Sequence, residues 1–338
     1  MSLYCPLPIE EVERVSLAAG GGGRAMRRLL ERVVAPRLPG AVDHDGAVLP
    51  PPGGRLAFTT DASVVSPRAF PGGDLGQLAV FGAVNDLAMC GAQPLALSLS
   101  LILEEGLPLS ELERVLDGVA LAAARVGVPV VTGDTKVVER GKADGLFATV
   151  SGVGVVPPGV EVHPRRIAPG DAILLSGDVG RHGVALIGVR ENLSFDVPIE
   201  SDCAPVNEVV AALIAGGIDL HALRDPTRGG LAAALVELAS ATLRIDEAAI
   251  PLDLGVAAVC ELLGLDPLHL PCEGRFVAFV AEEQAEEALK ILRGHPLAAG
   301  AARIGRVEAG PPRVRLRGPL GAERLLEMPE GELLPRIC

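Results

Sequence analysis

Three aspartates stand beside apolar segments. Asp45 lies in Asp43-His44-Asp45-Gly46-Ala47, Asp61 follows Phe58-Thr59-Thr60, and Asp134 follows Val130-Val131-Thr132-Gly133. Carboxylates at strand ends in an α/β sheet suit a hard cation such as Mg²⁺, which takes oxygen ligands there. Turn and cap chemistry favours aspartate as well, so each alone also reads as a structural residue. Asp86 is harder to treat that way. With Asn85 it interrupts the apolar run Leu78-Ala79-Val80-Phe81-Gly82-Ala83-Val84, which Leu87-Ala88-Met89 then resumes. A carboxylate in so apolar a helix is costly unless it is paired, binds a metal or lies on a solvent-facing stripe.

Other residues offer different chemistry. Gly20, Gly21, Gly22 and Gly23 precede a helical pattern of Met26, Leu29, Leu30 and Val33, so their N–H groups could wrap phosphate oxygens. Gly177, Gly180 and Gly183 form a second such loop, and a plain linker is the alternative for both. In Asp225-Pro226-Thr227-Arg228-Gly229-Gly230, Asp225 reads as a helix N-cap with Pro226 at the first helical position. Two glycines there weaken a helix by ~1 kcal/mol each, so a ligand or another backbone is expected to approach closely. Lys136 and Glu273 are candidates for charge stabiliser and base, though either alone is commonly a solvated surface charge. The sequence closes on Cys338, after a stretch with two prolines and a glycine that reads as a mobile tail. About ten such residues span ~30 Å, and an exposed thiol at a flexible end is a hazard unless it is used.

The elements that must position these residues alternate between strand and helix patterns, which indicates α/β architecture. In the first half, strands are expected over 55–60, 95–103, 128–132 and 146–156. Helices are expected over 75–90 and over 110–126, the latter opened by a cap at Ser110 and closed by Gly127. A turn-rich stretch over 157–170 marks a domain boundary, giving a first domain over 1–157, a second over 170–327 and the tail over 328–338. The second half is expected to hold a strand over 172–175, helices over 184–193, 205–215 and 226–241, a strand over 275–281, a helix over 283–292 and short strands over 302–326. Arg313, Arg315 and Arg317, spaced by two, predict one exposed face of a strand.

Composition narrows the function. Hydrophobic residues make up 49% and charged residues 22% of the 338, as in a soluble globular protein. One Tyr, no Trp and a net charge of −13 disfavour nucleic acid and anionic membrane. None of the six cysteines forms a C-x-x-C pair, no stretch approaches the ~20 apolar residues of a membrane helix, and the start shows no secretory pattern. The expectation is a reducing cytoplasm.

Five segments resemble the HypE family of hydrogenase maturation proteins: Glu104-Glu105-Gly106-Leu107-Pro108, Val131-Thr132-Gly133-Asp134-Thr135-Lys136-Val137-Val138, Arg228-Gly229-Gly230, Cys260-Glu261-Leu262-Leu263-Gly264 and Leu334-Pro335-Arg336-Ile337-Cys338. The likeness runs from about Leu17 to Cys338, and its most specific piece is the Pro-Arg-Ile-Cys ending. It departs from the family at Ala19 and at Arg181, where a histidine and an acidic residue are usual. The resemblance implies a two-domain fold of mixed sheets, like that of aminoimidazole ribonucleotide synthetase, and a homodimer formed through the N-terminal domains. It implies ATP and Mg²⁺, with Asp45, Asp61, Asp86 and Asp134 as metal-and-phosphate aspartates. The glycine loop, Asn85, Thr135, Asp225 and Arg228 would lie around the nucleotide, and Lys136 and Glu273 would be catalytic. The implied reaction is ATP-dependent dehydration of a carbamoyl group on Cys338 to a thiocyanate, the cyanide source for nickel–iron hydrogenases. A HypF-like carbamoyltransferase would be the donor and a HypC–HypD-like iron-carrying complex the acceptor. A small-molecule kinase of the same superfamily and a non-catalytic scaffold are the competing readings. A kinase has no need of the tail cysteine, and a scaffold has none of the aspartates.

Overall fold

The computed structural model describes residues 14–21, 23–39, 46–193, 198–328 and 334–338. Asp45 and Gly22 lie outside the described residues. The first half comprises α1 (Gly23–Leu29), β1 (Arg55–Ser63), the short pair β2 (Ala69–Phe70) and β3 (Gly73–Asp74), α2 (Leu75–Met89), β4 (Gln93–Glu104), α3 (Leu109–Val126), β5 (Val130–Val138) and β6 (Leu146–Val156). Its sheet runs β1-β6-β4-β5, antiparallel except for the parallel pair of β4 with β5. One face is covered by α2 and α3, and the other is open. The alternation on β1 shows why: Leu56, Phe58, Thr60 and Ala62 are exposed, whereas Ala57, Thr59, Asp61 and Ser63 turn toward α2. Apolar on almost every side, α2 is buried along nearly its whole length, as such a helix must be.

The second half contains β7 (Ala172–Leu175), α4 (Arg181–Arg190), α5 (Asn207–Ala215), β8 (Leu220–Arg224), α6 (Gly230–Leu238), β9 (Thr242–Asp246), α7 (Leu254–Leu263), β10 (Val277–Val280), α8 (Ala285–Arg293), β11 (Ala302–Glu308), β12 (Arg313–Arg317) and β13 (Glu323–Leu326). Its sheet runs β13-β12-β9-β11-β7-β10-β8. Every residue of β7 is buried, with Ile173 and Leu175 in one core and Ala172 and Leu174 in the other. Leu231 and Leu235 of α6 line the first core, and α5 and α8 line the second. Ala88 and Met89 of α2 join that second core, so α2 connects the two halves.

The α/β expectation holds, as does the exposed arginine face of β12. Several boundaries differ. α3 starts at Leu109, with Pro108 before it and Ser110 inside its first turn. The helix expected from Pro226 begins at Gly230, because Asp225 to Gly229 form a loop and Gly229 is left-handed. Asp225 therefore caps no helix. The approach expected at the glycine pair is that of the backbone of residues 268–270: a Cβ on Gly230 would lie 2.5 Å from the Leu270 carbonyl oxygen. The sequence reading places no element at β8, β9 or α7. The first two are only five residues long, and α7, apolar but for Glu261, carries no clear period to separate helix from strand.

Candidate active site

The inward face of β1 and the half-buried side of α2 at Gly82 and Asp86 set the first two carboxylates against each other. Thr59 donates its hydroxyl proton to Asp86 Oδ2 at 2.7 Å. Asp61 lies close on α2 at Gly82, where a Cβ would come within 2.4 Å of Asp61 Oδ2, so a larger residue there would displace the carboxylate. Burial, and then the charge of Asp86, hold Asp61 above the usual carboxylate range against the pull of Arg228. Burial likewise raises Asp86, opposed by the Thr59 hydrogen bond and by Arg224 and Arg228.

The second domain contributes two more carboxylates. The loop after β8 brings in Asp225, which burial and Asp86 push up to about 7. Glu273 is 5% exposed and its Oε1 has no hydrogen-bond partner among the described residues. Burial, then Asp61, Asp202 and Asp225, drive it well above the ordinary glutamate range. Its main chain is held from both sides. Glu273 N–H donates to Asp202 Oδ1 at 3.2 Å, and Asn85 Nδ2 donates to Glu273 O at 3.4 Å. Asn85 also donates to Ala204 O at 3.1 Å and accepts from Val206 N–H at 2.8 Å. Buried in α2, Asn85 thus clamps the two domains together beside the cluster.

The end of the chain enters this cluster. Burial, then Glu273, push the Cys338 thiol up to about 12, with Arg228 opposing and Asp61 and Asp225 adding to the shift. Residues 334–338 are docked against the body. Arg190 on α4 donates to Pro335 O at 2.8 Å, to Arg336 O at 2.6 Å and to Ser66 O at 2.7 Å. His182, at the start of the same helix, lies 2.8 Å through Nε2 from Ile337 O and 2.8 Å through Nδ1 from Ser201 Oγ. Val64 N–H donates to Cys338 O at 3.0 Å, and Ser66 N–H to Arg336 O at 3.2 Å. Arg336 takes a left-handed backbone with φ 54°, donates to Val64 O at 3.1 Å and pairs with Asp144. Ile337 is 5% exposed.

The remaining candidates lie elsewhere. Asp134 and Lys136 form an exposed ion pair at 2.8 Å on β5, the sheet edge opposite β1. Their partners on β4 are Ser100 and Ile102, which stand on the open face. Thr135 donates its N–H to Asp134 Oδ1 at 2.8 Å. The glycine loop reaches β5 from the covered side, where a Cβ on Gly20 would lie 2.8 Å from Val137 Cβ. Asp61, Asp86, Asp225, Arg228, Glu273 and Cys338 are therefore drawn together within one chain, and Asp134 and Lys136 are not. Among the described residues no three carboxylate, histidine or cysteine side chains converge as a ready-made metal cage. Cys203, Cys260 and Cys272 are buried, whereas Cys90 is exposed where α2 ends.

Two family models match the chain: AIR synthase related protein, N-terminal domain, over residues 43–156, and its C-terminal domain over residues 168–317. Carbamoyl dehydratase HypE of Rhizobium leguminosarum bv. viciae is 48% identical over 333 residues, covering 96% of this chain and 95% of its own. The chain belongs to the HypE family. A crystal structure of the hydrogenase maturation protein HypE in complex with ATP superposes with a TM-score of 0.92 at 43% identity, covering 96% of this chain and 99% of that one. HypE in a HypE–HypF complex matches at TM-score 0.79 and 40% identity, covering 89% and 99%. As a member of this family the chain is an enzyme with the two-domain fold common to it.

Sequence reasoning passed over Gly82, His182, Arg190 and Asp202. His182 had a signal, being a histidine within an otherwise apolar helical stretch next to a glycine loop. Gly82 had none, because only the position of Asp61 explains it.

Proposed function

We propose that the protein dehydrates a carbamoyl group carried on the Cys338 sulfur to a thiocyanate, using ATP. The observation that carries this reading is the docking of Cys338 among Glu273, Asp61, Asp225 and Arg228, in a chain whose relatives are named carbamoyl dehydratases. The carbamoyl oxygen attacks the γ-phosphorus of ATP and releases ADP, which converts a poor leaving group into phosphate. Phosphate then departs while a base removes the remaining nitrogen proton, leaving S–C≡N. Glu273 is the candidate base by its position beside Cys338, acting in its ionised form; a proton taken there is held more firmly than on an exposed carboxylate. Arg228, exposed at the cluster, is placed to offset the charge of the transferring phosphoryl group.

Mg²⁺ fits the donor set. Asp61 and Asp86 are desolvated carboxylates whose pKa values burial raises, a cost that a bound cation would relieve, and Mg²⁺ is commonly held by one or two carboxylates plus substrate phosphates. Bound there, it would neutralise phosphate charge. Asp45 remains a further candidate ligand on family grounds.

A thiol pushed up to about 12 is not a nucleophile at neutral pH, so loading requires the tail to leave its groove. This supports a tail that exchanges between a HypF-like donor, the internal site and a HypC–HypD-like acceptor in the cytoplasm. The open sheet face supports a homodimer, because Phe58 and Leu56 are 71% and 62% exposed on it. Such a dimer also offers a place for Asp134 and Lys136, the latter as a second charge stabiliser, facing the other copy. Phe58→Lys should convert a dimer to a monomer in light scattering, and a wild-type monomer would remove this part of the proposal.

The central experiment is the intact mass of the protein after incubation with a carbamoyl donor system and ATP. The expected result is a carbamoyl adduct on Cys338 that loses one water only when ATP is present. A Cys338→Ser protein that still forms a thiocyanate would overturn the carrier assignment. Turnover of a free small molecule without Cys338 would favour the kinase reading.

A further inference from the structure

The tail is held almost entirely by its main chain. The carbonyls of Pro335, Arg336, Ile337 and Cys338 each accept a hydrogen bond from the body, contributed by Arg190, Ser66, His182 and Val64. Arg190 is unusual among the buried or half-buried arginines. All three of its hydrogen bonds go to carbonyls and none to a carboxylate, whereas Arg68, Arg181 and Arg275 each face an acid. His182 is fully buried, and burial lowers its pKa, so the ring is neutral. A carbonyl can only accept, so Nε2 carries the proton and Nδ1 accepts from the Ser201 hydroxyl. Ser201 Oγ in turn accepts from Cys203 N–H at 3.0 Å. The imidazole is thereby fixed as a donor aimed at one tail carbonyl. Side chains add to this: Leu334 and Cys338 pack against the core of the first half. Ile337 is buried in the same apolar core as Leu186 and Cys203, and Arg336 reaches Asp144 and Val64 O.

We propose that this groove, formed by residues 64–66, Asp144 and α4, is a peptide-recognition site in its own right, able to take a segment with the sequence of residues 334–338 supplied in trans. Every contact named above is made by residues 334–338 with the body and not with the chain that leads into them. Covalent attachment supplies a high local concentration of the peptide but no contact in the groove. Dehydration of a peptide-borne carbamoyl group rests on the carrier reading, whereas binding of the peptide does not. The reaction in trans is balanced like that in cis: the peptide S–C(=O)–NH₂ loses its oxygen to phosphate and two hydrogens, and ATP becomes ADP and phosphate.

The test uses the full chain with its own tail expelled by Ile337→Asp, which sets a carboxylate in that apolar core. A fluorescent peptide of the sequence 334–338 should bind this protein saturably, and a peptide with Asp in place of the isoleucine should not. Adding Arg190→Ala, which removes two hydrogen bonds to the peptide, should weaken peptide binding roughly tenfold or more while ATP affinity stays unchanged. The S-carbamoyl peptide should lose one water in the presence of ATP and the Ile337→Asp protein. Absence of saturable binding, or equal binding of both peptides, overturns the proposal, as does an affinity indifferent to Arg190. Binding without dehydration upholds the groove and overturns the carrier reading. Should Ile337→Asp not fold, the wild-type chain serves. A peptide with serine in place of the cysteine should displace the native tail and speed alkylation of Cys338, and an unchanged rate at saturating peptide overturns the proposal.

Discussion

In the tail groove each of the last four carbonyls is matched by a donor, whereas the cluster beyond it crowds Asp61, Asp86, Asp225 and Glu273 with few partners. The groove is a set of satisfied polar groups and contributes binding. The cluster is a set of desolvated carboxylates that repel one another, and it costs stability that a bound cation would offset. One region is built to hold a known guest and the other to receive one. The same chain end, through Cys338, touches both.

The largest effect that would sharpen this contrast is expected from Asp86→Ala. ATP hydrolysis should fall roughly a hundredfold or more, as for loss of a group that stabilises transferring charge. The melting temperature should hold or rise, because a raised, repelled carboxylate is removed. Steady-state hydrolysis and thermal unfolding measure the two, and a marked fall in melting temperature would break the contrast.

Next in size is the reactivity of Cys338. At pH 8 the docked thiol should alkylate at least tenfold more slowly than the thiol of an Arg190→Ala protein, whose tail is loosened. The pKa is raised from 9.0 to about 12 on docking, so below pH 9 both forms are protonated and docking is undisturbed. Above pH 9 the free tail ionises first, and docking is lost progressively until about 12. The rate difference should therefore narrow across that window in a pH series with a thiol reagent. A constant ratio would mean that burial does not set the thiol's state.

A smaller effect is expected where the two regions share a wall. Asn85→Ala removes three hydrogen bonds between the domains and leaves Val206 N–H without its partner. It should cost about 1–3 kcal/mol of stability and lower turnover more than ATP affinity. Denaturant unfolding together with the kcat and KM for ATP separates these contributions. Unchanged stability would show that Asn85 is free to serve the nucleotide instead.

How much of this could be read from residues alone depended on what kind of signal each carried. Asp86 declared itself by standing in an apolar helix, and the glycine pair at 229–230 by its cost to a helix start. The approaching partner at that pair is a backbone brought in from residues 268–270, which no local pattern announces. Asn85 looked like a neighbour of the site, but its role depends on Ala204 and Glu273, more than a hundred residues away in sequence. The tail read as free because it is rich in proline and glycine, yet Arg190 and His182 give it a berth. Composition describes a segment and not the surface waiting for it.

If the tail exchanges between sites as proposed, Arg336 sets the manner of its release. An L-residue at φ 54° sits in a basin costing about 1–2 kcal/mol, tolerated only while surrounding bonds impose it. Once the Arg190 and Val64 contacts open, the residue relaxes to ordinary backbone, and its carbonyl no longer points at the donors. A partly detached tail thus has no comfortable geometry to rest in. The handedness of one residue makes departure abrupt, giving the sulfur two addresses and no waiting place between them.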